Sequence, residues 1–245
     1  MNPITLALLG LFLFYGLMYV MGCLVYYKNV KVNYTRKIGH FSIFFIPIFA
    51  EYFFLDGGNG ITSLPFFLSI LIVIHPSVRS KSSFLQRSFL ALDRPEDRPY
   101  TVRWFYTQAF TTFIAIVILV ILSTELKVDW FGMNLLLIPL TAIGDGLAEP
   151  IGVRFGKHKY RSFSLFPLIK NKYYRTLEGT AAVYISSLFV LLFYRNFFII
   201  SQFTYALLLL PIIVTIAEAI SPHTQDSAFL NLSAGIGIIL IKLFI

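Results

Sequence analysis

The chain has 245 residues, of which 57% are hydrophobic and only 13% charged, and its mean hydropathy is +0.76. A soluble domain carries roughly 25% charged residues, and none of this size could bury apolar runs that repeatedly approach the ~20 residues of a membrane span. The single cysteine, Cys23, excludes an internal disulfide framework and a cysteine-built metal site.

Apolar runs fall at about 4–27, 38–55, 61–75, 104–123, 130–151, 179–195, 203–220 and 228–244. Only helices or closed barrels satisfy the backbone in lipid, and runs such as "FTTFIAIVILVIL" lack the alternation of a barrel strand. The expected fold is therefore all-α: one polytopic helical bundle of about eight transmembrane helices, residues 1–245 forming a single domain. The first run is read as a retained span and not as a removed signal. The third run is short enough to be tilted or re-entrant.

Charge orients the stack. Segments 28–37, 76–103 and 152–177 hold 17 of the 20 Lys and Arg residues. With eight alternating spans they share one side, which the positive-inside rule makes cytoplasmic, with both termini outside. Lys127, Arg195 and Lys242 are the exceptions. The net charge of +8 suits anionic lipid heads or a polyanionic substrate. Nucleic acid is not expected as a partner, because the basic loops are short and no recognition module is visible. Segment 80–92 puts Leu85, Phe89 and Leu92 on one helical stripe, the pattern of a helix lying in the interface. The prolines of "DRPEDRP" then end it.

Acids in apolar surroundings mark the candidate site. In "AIGDGLAEPIGVRFGKHKYRS", Ala142 to Ser162, Asp145 lies roughly 22 Å along a span that begins at Trp130. Glu149 follows one turn later on the same face. Pro150 leaves a carbonyl near Gly146 without its helical donor, and Gly144, Gly146 and Gly152 permit close backbone approach. Two carboxylates and a loose carbonyl suit Mg²⁺, which takes one or two carboxylates plus substrate phosphates. The same acids can instead pair with Arg154 or Arg175. "GVRFGK" is not a P-loop, since the glycine spacing is one short and His158 follows the lysine.

Further positions complete the set. Thr176 is the expected N-cap of the sixth span, Arg175 precedes it where a phosphate contact is feasible, and Glu178 occupies its first turn. Glu218 lies near a helix C-terminus, where the dipole disfavours a carboxylate, so a basic partner is one reading. Asp226 either caps the last helix or joins the site. Arg36 and His40 stand one turn apart at the start of the second span, and no zinc-protease motif or nucleophilic serine elbow occurs.

Taken in order, "RKIGH", "AIGDGLAEPIGVRFGKHK", "RTLEGT" and the acid-"QDSAF" element resemble the CTP-dependent polyprenol kinases, a family of dolichol, phytol and farnesol kinases related to the phosphatidate cytidylyltransferases. The resemblance covers about residues 35–230. It implies transfer of the γ-phosphate of CTP to an isoprenoid alcohol at the cytoplasmic membrane face, with Mg²⁺ as cofactor. It makes Asp145 the core acid, joined by Glu149, Glu218 and Asp226 as catalytic candidates, with Asp145 and Glu149 on the metal. Gly144, Gly146, Gly152 and Gly156 would frame the site. Lys157, Arg175, Glu178 and Gly179 match the family's basic and Glu-Gly elements, and Arg36, Lys37 and His40 its early basic-His element. Ser227 stands where an Asn usually follows the Asp, and "DRPEDRP" departs from the expected middle motif, which leaves the acceptor open. The alternatives are a cytidylyltransferase-like enzyme making CDP-lipid and a non-enzymatic small membrane transporter.

Overall fold

The computed structural model describes residues 3–54, 63–162 and 173–245. The edges of the second and third apolar runs at 55 and 61–62, and the basic residues Lys170 and Lys172, lie outside the described residues. The chain divides into two compact units, Met1–Phe105 and Tyr106–Ile245.

The first unit contains α1 (Pro3–Lys28), α2 (Val32–Phe54), α3 (Ser63–Ile74), α4 (Pro76–Arg79) and α5 (Ser83–Leu90). α1 packs on α2, α3 and α5. Phe14 and Met18 of α1 are buried with Phe66, Ile70 and Ile74 of α3, and Phe14 meets Phe66 edge to face at 5.6 Å. α5 begins at the capping hydroxyl of Ser82, which accepts from the Leu85 N–H. Its apolar stripe is real: Phe89 and then Leu92 are buried. The helix packs across α1, where the Arg87 carbonyl rests directly against Gly22. Any side chain at position 22 would push the two helices apart. "DRPEDRP" does stop α5, and its charges pair internally. Arg94 binds Asp97 at 2.7 Å and Arg98 binds Asp93 at 2.8 Å, while Thr101 donates to Asp93 at 2.6 Å.

α6 (Thr101–Glu125) runs from the first unit into the second. The second unit continues with α7 (Trp130–Phe155), strands β1 (Lys159–Ser162) and β2 (Tyr173–Thr176), α8 (Leu177–Phe193), α9 (Ile200–Ile220) and α10 (Asp226–Phe244). α7 packs on α8 and α10, and α9 packs on the same two helices. The core between them is Leu136, Leu137, Leu140, Val183, Leu191, Leu210, Val214, Leu230 and Ile238. Of the five helices long and apolar enough to span a membrane, α7 is the least apolar and the most buried, and Gly144, Asp145 and Gly146 lie in its buried part. Apolar side chains on the outside of the bundle, among them Phe113, Ile121, Phe189, Leu208 and Ile216, stay exposed. Apolar faces of this extent are what acyl chains cover.

Each apolar run read from the sequence forms a helix over most of its described length. By length and composition, five described helices can cross a membrane: α1, α6, α7, α9 and α10. α8, at 17 residues, is shorter, and α3, at 12, spans about 18 Å. Two boundaries differ from expectation. α2 starts at Val32, so Arg36 and Lys37 are helical rather than in a loop, and α7 continues through Pro150 to Phe155. The described fold is all-helical as expected apart from one short addition, an antiparallel hairpin of β1 and β2. Its alternating residues bury one face, a pattern that the basic composition of 152–177 hid.

The second unit has two chemically distinct ends. At one, Asp129 caps α7 through the Phe131 and Gly132 amides, and Lys242 of α10 donates to the Phe197 carbonyl. This accounts for one basic residue lying away from the basic loops. The other end gathers the close of α7, the β-hairpin, the start of α8, the close of α9 and the start of α10.

Candidate functional site

α7 and the start of α8 pack closely at that second end, glycines on both sides allowing the approach. The Ala148 carbonyl would stand 2.6 Å from a Cβ at Gly179, and the Thr176 hydroxyl 2.7 Å from a Cβ at Gly152. Gly156 is pressed in the same way against Thr176, and Gly144 faces Val183; Gly146 is buried within the helix. The glycine frame is thus a helix-packing surface. It brings the turn bearing Asp145 and Glu149 beside the first turn of α8. Asp145 is 5% exposed and Glu149 half-buried.

Thr176 caps α8 as expected, accepting from the Gly179 N–H at 3.1 Å. Glu178 has a partner that the sequence did not disclose. Its carboxylate lies 2.8 Å from His158 Nδ1 and accepts from the His158 backbone N–H at 3.3 Å. The Leu177 N–H donates back to the His158 carbonyl at 3.0 Å. Glu178 therefore clasps the turn after α7 onto the start of α8, and a carboxylate engaged this way does not bind phosphate. Lys157, in the clasped turn, is exposed.

The hairpin register explains the rest. Tyr160 opposes Arg175 and Ser162 opposes Tyr173 on the inward face, while Lys159 and Arg161 with its partner Tyr174 point outward. Arg175 reaches both Glu218 of α9 and Asp226 of α10. It also donates to the Ser221 carbonyl at 3.0 Å and the Ser221 hydroxyl at 2.8 Å, and to Ser162 at 3.4 Å. The Ser221 hydroxyl donates to Asp226 at 2.5 Å. The Thr180 hydroxyl donates to Glu218 at 3.1 Å and shares a 2.7 Å hydrogen bond with Tyr160. Tyr173 stacks on His223 at 3.4 Å.

Each donor nitrogen of the Arg175 fork is occupied within the protein, so it is not offered to a phosphate. It acts as the counter-ion of two acids, one of the alternatives read for Glu218. Asp226 is the first residue of α10 rather than its cap, which is Gln225. Burial works against the Arg175 charge, and Asp226 and Glu218 more than offset it, so the guanidinium stays above its ordinary range. Burial also pushes the Tyr160 phenol up. Gln225 belongs to a neutral seam, accepting from Thr111 of α6, while Gln108 donates to Ser227.

Arg36, Lys37 and His40 belong to the first unit, on the opening turns of α2. Lys37 is 5% exposed, Arg36 lies 5.9 Å from the Phe105 ring centre, and His40 packs edge-on against Phe44 at 5.0 Å. Among the described residues no group of three or more His, Cys, Asp or Glu converges with metal-binding geometry. The donors at the α7 turn, two carboxylates one helical turn apart, are all oxygen and fit Mg²⁺ only as a two-point attachment that substrate phosphates and water would complete.

His158, Tyr160, Ser162, Thr180 and Ser221 were not singled out from the sequence. Period-two alternation in "KYRS" and "YYRT" is the signal that could have found the first part of this network. Comparison of the chain with protein-family profiles, with curated proteins and with solved structures finds no match in any of the three.

Proposed function

We propose that this protein is a Mg²⁺-dependent phosphotransferase that moves the γ-phosphate of CTP to the hydroxyl of a membrane-dissolved isoprenoid alcohol. The observation that carries the reading is the close packing of α7 on α8 across their glycines. It supports a common site for the Asp145–Glu149 turn, the exposed Lys157 and the capped start of α8, at the charged end of a bundle with an apolar exterior. Phosphoryl transfer needs little covalent chemistry from a protein and depends on positioning and charge.

In this reading Asp145 and Glu149 hold the metal, and Lys157 neutralises the triphosphate. Bound Mg²⁺ supplies positive charge to the phosphate oxygens. The acceptor oxygen bonds to the γ-phosphorus as the bridging oxygen leaves with CDP, and the hydroxyl proton passes to Glu149. Arg175, Glu218 and Asp226 keep the hairpin and the α9–α10 turn in place around that site. The eight helical runs are spans with both termini outside, which puts the site on the cytoplasmic side, as the distribution of basic residues supports.

Purified protein with Mg²⁺, CTP labelled at the α- or γ-phosphate, and phytol, farnesol, polyprenol or diacylglycerol tests the reading. The expected products are CDP and a lipid labelled only from the γ-position. Chelation of Mg²⁺ and Asp145→Asn should each lower turnover by at least about 100-fold, the scale of losing a charge-stabilising group. Pyrophosphate release would make the protein a cytidylyltransferase, and unchanged turnover in Asp145→Asn would refute the site.

A further inference from the structure

The two faces of the hairpin have different chemistry. Its inward face is fully engaged: Tyr160 with Thr180, Arg175 with Glu218 and Asp226, Tyr173 with His223. Its outward face carries Lys159 and Arg161, both exposed and, among the described residues, in no ion pair. Tyr174 beside Arg161 is 58% exposed, as is Phe155 at the end of α7, and Leu177 at the start of α8 is 57% exposed. No Asp or Glu occurs anywhere in 152–177, against seven Lys and Arg.

A solvated loop has no use for three large bare apolar side chains, and a soluble polyphosphate needs cations but no apolar flank. A membrane surface takes both. Aromatic and aliphatic groups enter the boundary layer while basic heads stay at phosphate level. The height is right by connectivity, since α7, a helix long and apolar enough to span, ends at Phe155 and the apolar α8 starts at Leu177.

We propose that the outward face of the hairpin, Lys159, Arg161 and Tyr174 flanked by Phe155 and Leu177, docks onto the headgroups of anionic lipids. The docked face is separate from the Asp145–Lys157 site and does not depend on the reaction carried out there. Each basic residue at a charged leaflet contributes about a fivefold preference, so the pair gives about 25-fold in favour of the docked state on an anionic bilayer.

The test uses the full chain with Cys23→Ser and Tyr174→Cys, bearing a fluorophore at position 174, in nanodiscs of phosphatidylcholine with or without phosphatidylglycerol. A nitroxide on lipid headgroups serves as quencher. Quenching should rise when the anionic lipid is present, fall again in high salt, and lose its anionic increment in Lys159→Glu/Arg161→Glu, whose melting temperature in neutral discs should match the parent. Equal quenching in both lipids, or an increment that survives the double substitution, would overturn the proposal. So would a change produced by CTP or pyrophosphate in neutral discs with none from anionic lipid, which would assign the face to a soluble polyphosphate.

Discussion

Removing the Arg175 side chain strands two carboxylates. The side chains of Arg175, Glu218 and Asp226 are 14%, 6% and 19% exposed, so water screens the group little. Deleting one member of a buried ion pair costs about 3–5 kcal/mol, because the partner's charge remains without compensation. Arg175→Ala should therefore lower the melting temperature in detergent by about 6–20 °C, taking about 2–4 °C per kcal/mol for a chain of this size. Circular dichroism at 222 nm follows the transition. Arg175→Lys keeps the charge but cannot span both acids, and should fall between the two. The informative variant is Arg175→Met/Glu218→Gln/Asp226→Asn, which removes the cation and both charges together. If the cost in Arg175→Ala is uncompensated charge, the triple variant regains more than half of the loss. An unaffected melting temperature in Arg175→Ala, or a triple variant as unstable as the single one, would refute the assignment of Arg175 as an internal counter-ion.

Gly179→Ala should destabilise the protein by about 1–3 kcal/mol, because a Cβ would sit 2.6 Å from the Ala148 carbonyl. That exceeds the ~1 kcal/mol that alanine gains over glycine in a helix, and a rise in melting temperature would show that α7 and α8 are not in backbone contact. Tyr160→Phe removes a 2.7 Å hydrogen bond to Thr180, worth about 1 kcal/mol. Since burial raises the phenol above its usual value of 10.0, the stability from protonated Tyr160 is complete below that pH and is lost as pH climbs through the raised value. The melting gap between parent and Tyr160→Phe should accordingly shrink above pH 10, and a constant gap would contradict the burial of that hydroxyl.

Much of the molecule was legible in one dimension. The eight apolar runs became helices because a run of that length and composition has few other ways to satisfy its backbone, and "DRPEDRP" ended α5 because proline cannot continue it. Thr176 became a cap and the glycines of α7 and α8 became a close-packing surface, both consequences of what those residues are locally. For Glu218, near a helix C-terminus, a basic partner was one of the readings its position allowed.

The identity of that partner was not legible. Arg175 lies 43 residues before Glu218 and 51 before Asp226, and no local rule links the three. Nor does composition distinguish an arginine that faces a ligand from one that faces two acids. The difference is set by which face of a four-residue strand turns inward, and a slip of one residue would have exchanged Arg175 for Tyr174. Length, hydropathy and charge thus pointed to membrane-spanning helices, and to acids and cations gathered where α7 closes and α8 and α10 begin. Only tertiary pairing decided which of those charges neutralise each other and which remain for lipid and substrate, because a charge's availability depends on its neighbours in space.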